Sequence, residues 1–179
     1  MDNFKIENGV LLRYEGSEEV VVIPSEITSI GDSAFQNCQS IKKVVVPATV
    51  KSIGAGAFLN CQNLEEIELS KGLKKIPSNM CMACENLTKI NIPETIDTIG
   101  SYAFQGCNLT AVMLPEKVKS IQANAFMSCG NLSELIISNK DAKIPKNAVA
   151  GCSKLTIIAP EGSQAEEVAN KNYIDFKRL

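Results

Sequence analysis

The sequence predicts a repeat solenoid of mixed α/β character, with a parallel sheet on one face and short helical turns and short strands elsewhere. Three observations predict it. Six cysteines, Cys38, Cys61, Cys84, Cys107, Cys129 and Cys152, recur at intervals of 23, 23, 23, 22 and 23 residues. The same apolar phrase surrounds each of them. One such phrase is too short to bury its own apolar face, so copies must stack to share a core.

Each copy reads as three pieces. The first is a strand with period-two alternation, as in Ile67-Glu68-Leu69 or Ile90-Asn91-Ile92. Proline then ends it at Pro24, Pro47, Pro93 and Pro115, because proline cannot donate to a sheet ladder. Ser70 and Ser138 stand there in the other two copies. The second piece is short and extended, as in Val50-Lys51-Ser52-Ile53, and glycine at Gly31, Gly54 and Gly100 turns the chain after it. The third is expected to make one or two helical turns, since Ala57, Phe58 and Cys61 share a face at helical spacing. Counting the strand Val20–Ile23, about seven coils spaced as neighbouring strands give a rod roughly 35 Å long.

The ends differ from the repeat, as they must if an open apolar coil is not to be left bare. Residues 1–16 read as a hairpin cap, with Asn8-Gly9 as the type I′ turn pair. Residues 17–160 hold about six repeats of 22–23 residues. Residues 161–179 form the second cap. Ser163-Gln-Ala-Glu166 is a capping box, predicting a helix over roughly 163–172 with Val168 and Ala169 inward, and Tyr173–Phe176 a closing strand. The whole chain is thus one domain.

Composition narrows the function. The 179 residues are 45% hydrophobic and 21% charged, as in ordinary globular chains. A net charge of −2 provides no basic face for nucleic acid. There is no histidine, so the commonest general base and zinc ligand is missing. No nucleophile has a base beside it and no loop cradles phosphate. The expectation is no enzyme, no metal and no cofactor. No stretch reaches the roughly 20 apolar residues of a membrane helix, so no membrane insertion is expected. Residues 1–5 do not begin a signal peptide. With Met1 as the native start the protein is cytoplasmic; with an export signal trimmed it is secreted or on the cell surface.

The phrase Ile-Pro-x-x-Val-x-x-Ile-Gly-x-x-Ala-Phe-x-x-Cys-x-Asn-Leu-x-x-Ile resembles the BspA-like leucine-rich repeat family. Residues 40–69 and 86–114 match it almost word for word, and the resemblance covers roughly 17–160. It implies a right-handed leucine-rich-repeat superhelix, a role in protein binding or adhesion, often at a microbial cell surface, and no catalytic residues. The third copy departs, with Pro77, Met80 and Cys81 in the glycine, alanine and phenylalanine positions. The sixth has Asp141 at a usually apolar position. Both coils are expected to pack less well.

Several motifs have plain readings. Cys81-Met-Ala-Cys84 matches a redox or zinc pattern, but the repeat already accounts for both cysteines. The periodic cysteines are expected to be reduced, buried thiols behaving as small hydrophobes. Three Asn-Leu-Thr/Ser sequons, at Asn86, Asn108 and Asn131, arise from the repeat itself, and their asparagines are expected to bond backbone groups in the turn.

Strand alternation places the candidate binding residues on the open sheet face. These are Lys43 and Val45, Glu66 and Glu68, Lys89, and then Met113, Ile136 and Ile157. Lys43, Glu66 and Lys89 alternate in sign across adjacent strands and are expected to pair. Met113, Ile136 and Ile157 are expected to form an exposed apolar stripe. The expected partner is a protein, with the chain itself a monomer or weak dimer. The alternative is a structural spacer, or a fragment of a longer repeat array, with no dedicated ligand.

Overall fold

The computed structural model describes residues 3–179, which wind through about seven turns of solenoid. The hairpin β1 (Phe4–Glu7) and β2 (Val10–Tyr14) opens the chain. Five coils then each give a strand to the main face and a two-residue strand to a second face. They are β3 (Val20–Val22) and β4 (Ser29–Ile30), β5 (Lys43–Val45) and β6 (Ser52–Ile53), β7 (Glu66–Glu68) and β8 (Lys75–Ile76). Next come β9 (Lys89–Ile90) and β10 (Thr98–Ile99), then β11 (Ala111–Leu114) and β12 (Ser120–Ile121). Strands β13 (Glu134–Ile137) and β14 (Thr156–Ala159), helix α1 (Gln164–Lys171) and β15 (Asp175–Arg178) complete it.

The main face is two parallel four-stranded sheets, β3-β5-β7-β9 and β11-β13-β14-β15, with no ladder between β9 and β11. The second face holds β1-β2-β4-β6 and β8-β10-β12. Inside, each repeat position forms a buried column. Leu64, Leu87, Leu109, Leu132 and Leu155 make one, and Ile30, Ile53, Ile76, Ile99, Ile121 and Ile144 another.

The third face corrects the expectation of helical turns: it is built of tight turns, and α1 is the only helix among the described residues. The reason lies in pairs of left-handed residues four apart, such as Ser33 with Asn37 and Tyr102 with Gly106. A left-handed residue stops a helix after one turn and swings its N–H along the solenoid axis. Asn37, Asn60, Asn79 and Asn124 fit because asparagine tolerates that conformation. The freed amides bond the next coil: Ser33, Phe35 and Asn37 N–H donate to the carbonyls of Ala55, Ala57 and Leu59 at 3.0, 2.7 and 2.9 Å. Neighbouring coils are thus hydrogen-bonded on this face too.

Gly54 and Gly100 have a different purpose from a turn. A Cβ on Gly54 would meet the Asp32 amide nitrogen at 2.4 Å, and one on Gly100 the Ser78 nitrogen at 2.5 Å. Glycine here lets two coils approach backbone to backbone.

The phenylalanines lie at the centre of the stack. Phe35, Phe58, Phe104 and Phe126 are fully buried. Ring centroids run Phe4–Tyr14 at 5.1 Å, Tyr14–Phe35 at 5.1 Å and Phe35–Phe58 at 5.0 Å; after Cys81 the stack resumes with Phe104–Phe126 at 5.4 Å. The third copy does not pack less well in burial, since Met80 and Cys81 are both 0% exposed. Methionine in the alanine slot offsets the volume lost with the ring. In the sixth copy the chain slips by one residue. Ala142 N–H donates to the Asn139 carbonyl at 3.2 Å, the bond made in other coils by the residue three after proline. Asn139 therefore stands in the proline position rather than Ser138, Ala142 fills the apolar slot, and Asp141 stays in solvent.

The periodic thiols form a ladder. Each Sγ donates to a carbonyl of the preceding coil: Cys61 to Phe35 at 2.9 Å, Cys84 to Phe58 at 3.0 Å, Cys107 to Cys81 at 3.1 Å, Cys129 to Phe104 and Cys152 to Phe126 at 3.0 Å. Burial pushes the Cys81 and Cys107 thiols up. Cys38 begins the ladder and is half-buried, and burial raises it to about 11.

The hairpin turn and the C-terminal helix form at the residues that predict them. Asn8 and Gly9 have φ of 50° and 76°, as a type I′ turn requires. Ser163 caps α1 by accepting from Glu166 N–H, and Ala165, Val168 and Ala169 are buried. The closing strand starts two residues later than the sequence predicts, so Tyr173 stands outside it, 98% exposed.

The outer sheet face as candidate functional site

Register brings the outward side chains of successive strands into rows. In the first sheet, Val20, Lys43, Glu66 and Lys89 align, as do Val22, Val45 and Glu68. Lys43 takes both glutamates: its Nζ lies 3.3 Å from Glu66 and also contacts Glu68. Glu68 and Glu66 together hold the Lys43 ammonium above its ordinary range. Lys89 stands opposite Glu66 but forms no ion pair among the described residues, so the expected three-member charge row closes on two strands. Val45 lies half-buried beside it.

In the second sheet, Met113 faces Ile136 and Ile136 faces Ile158. This corrects the stripe. Ile157 is 0% exposed and belongs to the core, so the third member is Ile158. The cause is one residue lost after Leu155: Thr156 pairs with Glu134, one residue after its leucine where Glu134 is two after Leu132. A one-residue slip turns every side chain to the other face. The cysteine intervals do not record it, because the loss lies beyond Cys152. Met113 is 64% exposed, while Ile136 and Ile158 are half-buried by their neighbours.

The two sheets part where the repeat loses its other residue, at Cys107-Asn108-Leu109. Asn91, in the strand phrase Ile90-Asn91-Ile92, turns its amide back: Leu69 N–H donates to its Oδ1 at 2.7 Å and its Nδ2 donates to the Leu69 carbonyl at 3.1 Å. The side chain thereby takes the hydrogen-bonding place of a strand residue and ends β9 after Ile90. A shallow groove opens at the gap, lined by Glu66, Glu68, Lys89, Ile90, Asn91 and Ala111. Ile90 and Ile92 are only partly buried beside it, unlike Ile67 and Val112 in the flanking coils. Sequence reasoning missed this groove, although the 22-residue interval marked its place. The sequon asparagine Asn131 donates to the side chain of Asn108 at 2.7 Å rather than to a turn backbone.

No group of three or more His, Cys, Asp or Glu side chains among the described residues is arranged to hold a metal ion, and no helix is long and apolar enough to cross a membrane. What the coil offers is a broad, ribbed face of outward side chains.

These features define the leucine-rich-repeat class: a stacked coil with one strand per repeat on a common face and a core of periodic leucine and isoleucine. The chain belongs to the BspA type leucine-rich repeat family, whose model matches six copies over residues 11–96 and 74–172. Among solved structures it is similar to a leucine-rich repeat protein of Bacteroides ovatus, with 30% identity and a TM-score of 0.69 over 87% of this chain and 44% of that one. A leucine-rich cell surface protein of Faecalibacterium prausnitzii is 27% identical, with a TM-score of 0.59 over 93% of this chain and 38% of that one. The leucine-rich repeat protein of T. pallidum shares the fold at 24% identity, with a TM-score of 0.78 over 98% of this chain and 96% of that one. This chain therefore spans less than half the length of the first two. No curated protein matches it.

Proposed function

We propose that the protein is a non-enzymatic binding module whose outer sheet face receives a protein partner. The observation that supports this reading is the in-register row Met113–Ile136–Ile158, an apolar strip on a face that the caps leave open. Exposed apolar patches mark interaction sites, and methionine adapts to varied surfaces. The groove at Asn91, lined by Glu66, Glu68, Lys89 and Ala111, lies between the strip and Lys43 and supplies a polar rim for such an interface. The similarity to a protein described as a cell surface protein supports display outside the cell.

The test is a triple variant, Met113→Ser with Ile136→Glu and Ile158→Glu. Proteins of the native host captured by the wild type are compared with those captured by the variant. Loss of a specific captured protein, with unchanged unfolding behaviour, supports the reading. Equal capture places the site elsewhere, and capture of nothing specific by either favours a structural spacer.

A further inference from the structure

The fourth and fifth coils are fastened to each other on the second and third faces only. On the second face β10 pairs with β12. On the third, Tyr102, Phe104 and Gly106 N–H donate to the carbonyls of Ala123, Ala125 and Met127 at 3.2, 2.8 and 2.9 Å. On the main face no ladder joins β9 to β11. Elsewhere on that face the first amide of a strand reaches back to the preceding coil. Lys43 N–H donates to the Glu19 carbonyl at 2.9 Å, Lys89 to Glu65 at 3.1 Å and Glu134 to Thr110 at 3.3 Å. Ala111 holds the same position, and among the described residues its N–H has no acceptor. Ile92 N–H has none either, although Ile23 and Val46 donate from that position to Val45 and Glu68. The core beneath is looser too. Ile90 and Ile92 are only half-buried, whereas Ile67, Leu69, Val112 and Leu114 in the flanking coils are at most 5% exposed. The residue missing from Cys107-Asn108-Leu109 accounts for this. Leu64, Leu87 and Leu132 N–H each close a turn onto the cysteine three before, at 3.0 Å. Leu109 stands two after Cys107, so that turn is not made and β11 starts off the line of β9. A missing ladder alone does not loosen a joint. The second face has none between β6 and β8, where Pro77 lacks an N–H, yet Ile53 and Ile76 there are 4% and 0% exposed.

We propose that this joint is a hinge. The block ending at β9 and the block starting at β11 rock about the second and third faces, and the main face closes when β9 pairs with β11. In the closed form Ala111 N–H meets the Thr88 carbonyl, Ile92 N–H meets the Met113 carbonyl, and Ile90 and Ile92 are covered. In the open form the groove lined by Ile90, Asn91 and Ala111 admits water, which satisfies the same groups. Asn91 decides which block β9 moves with, because its amide ties the end of that strand to Leu69. Burial of two isoleucines and pairing of the free amides favour closure. The short connection at Cys107–Leu109 opposes it, so both forms are populated. The hinge does not rest on the reading of the outer face as a binding surface. It does bear on it: a partner lying across both sheets binds the two forms differently and shifts their balance, whereas one confined to Met113–Ile136–Ile158 does not.

Backbone amide relaxation dispersion on the full chain detects exchange between such forms. It should appear at Ile90, Ile92 and Ala111 and be absent at Lys43, Glu66 and Glu134. Native-state hydrogen exchange gives a second readout: the Ile92 and Ala111 amides should exchange at least about tenfold faster than that of Glu134. Inserting one glutamate after Cys107 restores the form Cys84-Glu85-Asn86-Leu87. It should close the joint, slow both amides to the Glu134 rate and remove the dispersion. Ala111→Pro removes an N–H that only the closed form uses. It should also remove the dispersion, with thermal unfolding unchanged and Ile92 still exchanging fast. A wild type without dispersion at the joint overturns the proposal, as does dispersion spread evenly over the coils. So does protection of Ile92 and Ala111 equal to that of Glu134, or an insertion variant that folds and leaves both amides fast.

Discussion

In the first four coils the outer face sets the Lys43–Glu66–Glu68 cluster among valines and the stacked rings number four, Phe4, Tyr14, Phe35 and Phe58; in the last three the outer face has the apolar row Met113–Ile136–Ile158 and only Phe104 and Phe126 stack. The boundary is marked twice, by Cys81 in the core and by Asn91 on the sheet. The inner positions barely differ between the halves, because each must fill the same volume between the same two neighbours. The outer positions answer to no neighbour above them, so they diverge. A repeat constrains its inside and leaves its outside free for recognition.

The stack is the first place to break this comparison. Phe58→Ala should cost about 3–5 kcal/mol in chemical denaturation, the range for a fully buried ring. A loss below about 1 kcal/mol would mean that the aromatic column does not hold the coils together.

Register on the apolar half is next. Ile157→Ala should cost about 2–5 kcal/mol, whereas Ile158→Ala should cost less than about 1 kcal/mol. Reversed values in the same denaturation series would restore Ile157 to the outer face.

The core boundary can be sharpened rather than broken. Cys81→Phe alone overfills a coil that Met80 already fills, at a cost of about 1–3 kcal/mol. Combined with Met80→Ala it should recover most of that loss and join the two stacks. Additive losses in the double-mutant cycle would show that the two positions do not share one space.

On the sheet, Asn91→Ala removes the two bonds to Leu69 and should cost about 1–2 kcal/mol. Hydrogen exchange at the Leu69 amide should accelerate in the same variant, and an unchanged rate would show that the amide clasp is not what ends β9.

The smallest effect concerns the thiol ladder and leaves stability untouched. Cys38, with no coil beneath it, should be the first thiol modified in native buffer, while Cys61, Cys84 and Cys107 react only after denaturation. The thiolate is the reactive form, and burial raises Cys38 to about 11. Its labelling rate should therefore climb by about tenfold per pH unit from neutrality and level off near that value. A plateau near pH 8 would show a thiol that burial does not hold protonated.

The sequence by itself determined the coil, its length and its inward columns, because burial repeats at every copy and each copy must match the next. It also determined the caps, through the Asn8-Gly9 turn pair and the Ser163 capping box, since both are short-range hydrogen-bond devices. Other features waited for the tertiary structure. Left-handed residues such as Asn37 and Asn60 send their amides to the next coil, so a segment with helical spacing became a stack of turns; spacing alone does not show where an amide finds its acceptor. Two single-residue losses, at Cys107–Leu109 and after Leu155, shift strands locally. One opens a groove at Asn91, and the other exchanges Ile157 for Ile158. Cysteine intervals measure the length of a coil and not the point within it where a residue is missing. Side-chain direction in a strand depends on that point, because the pleat has a period of two.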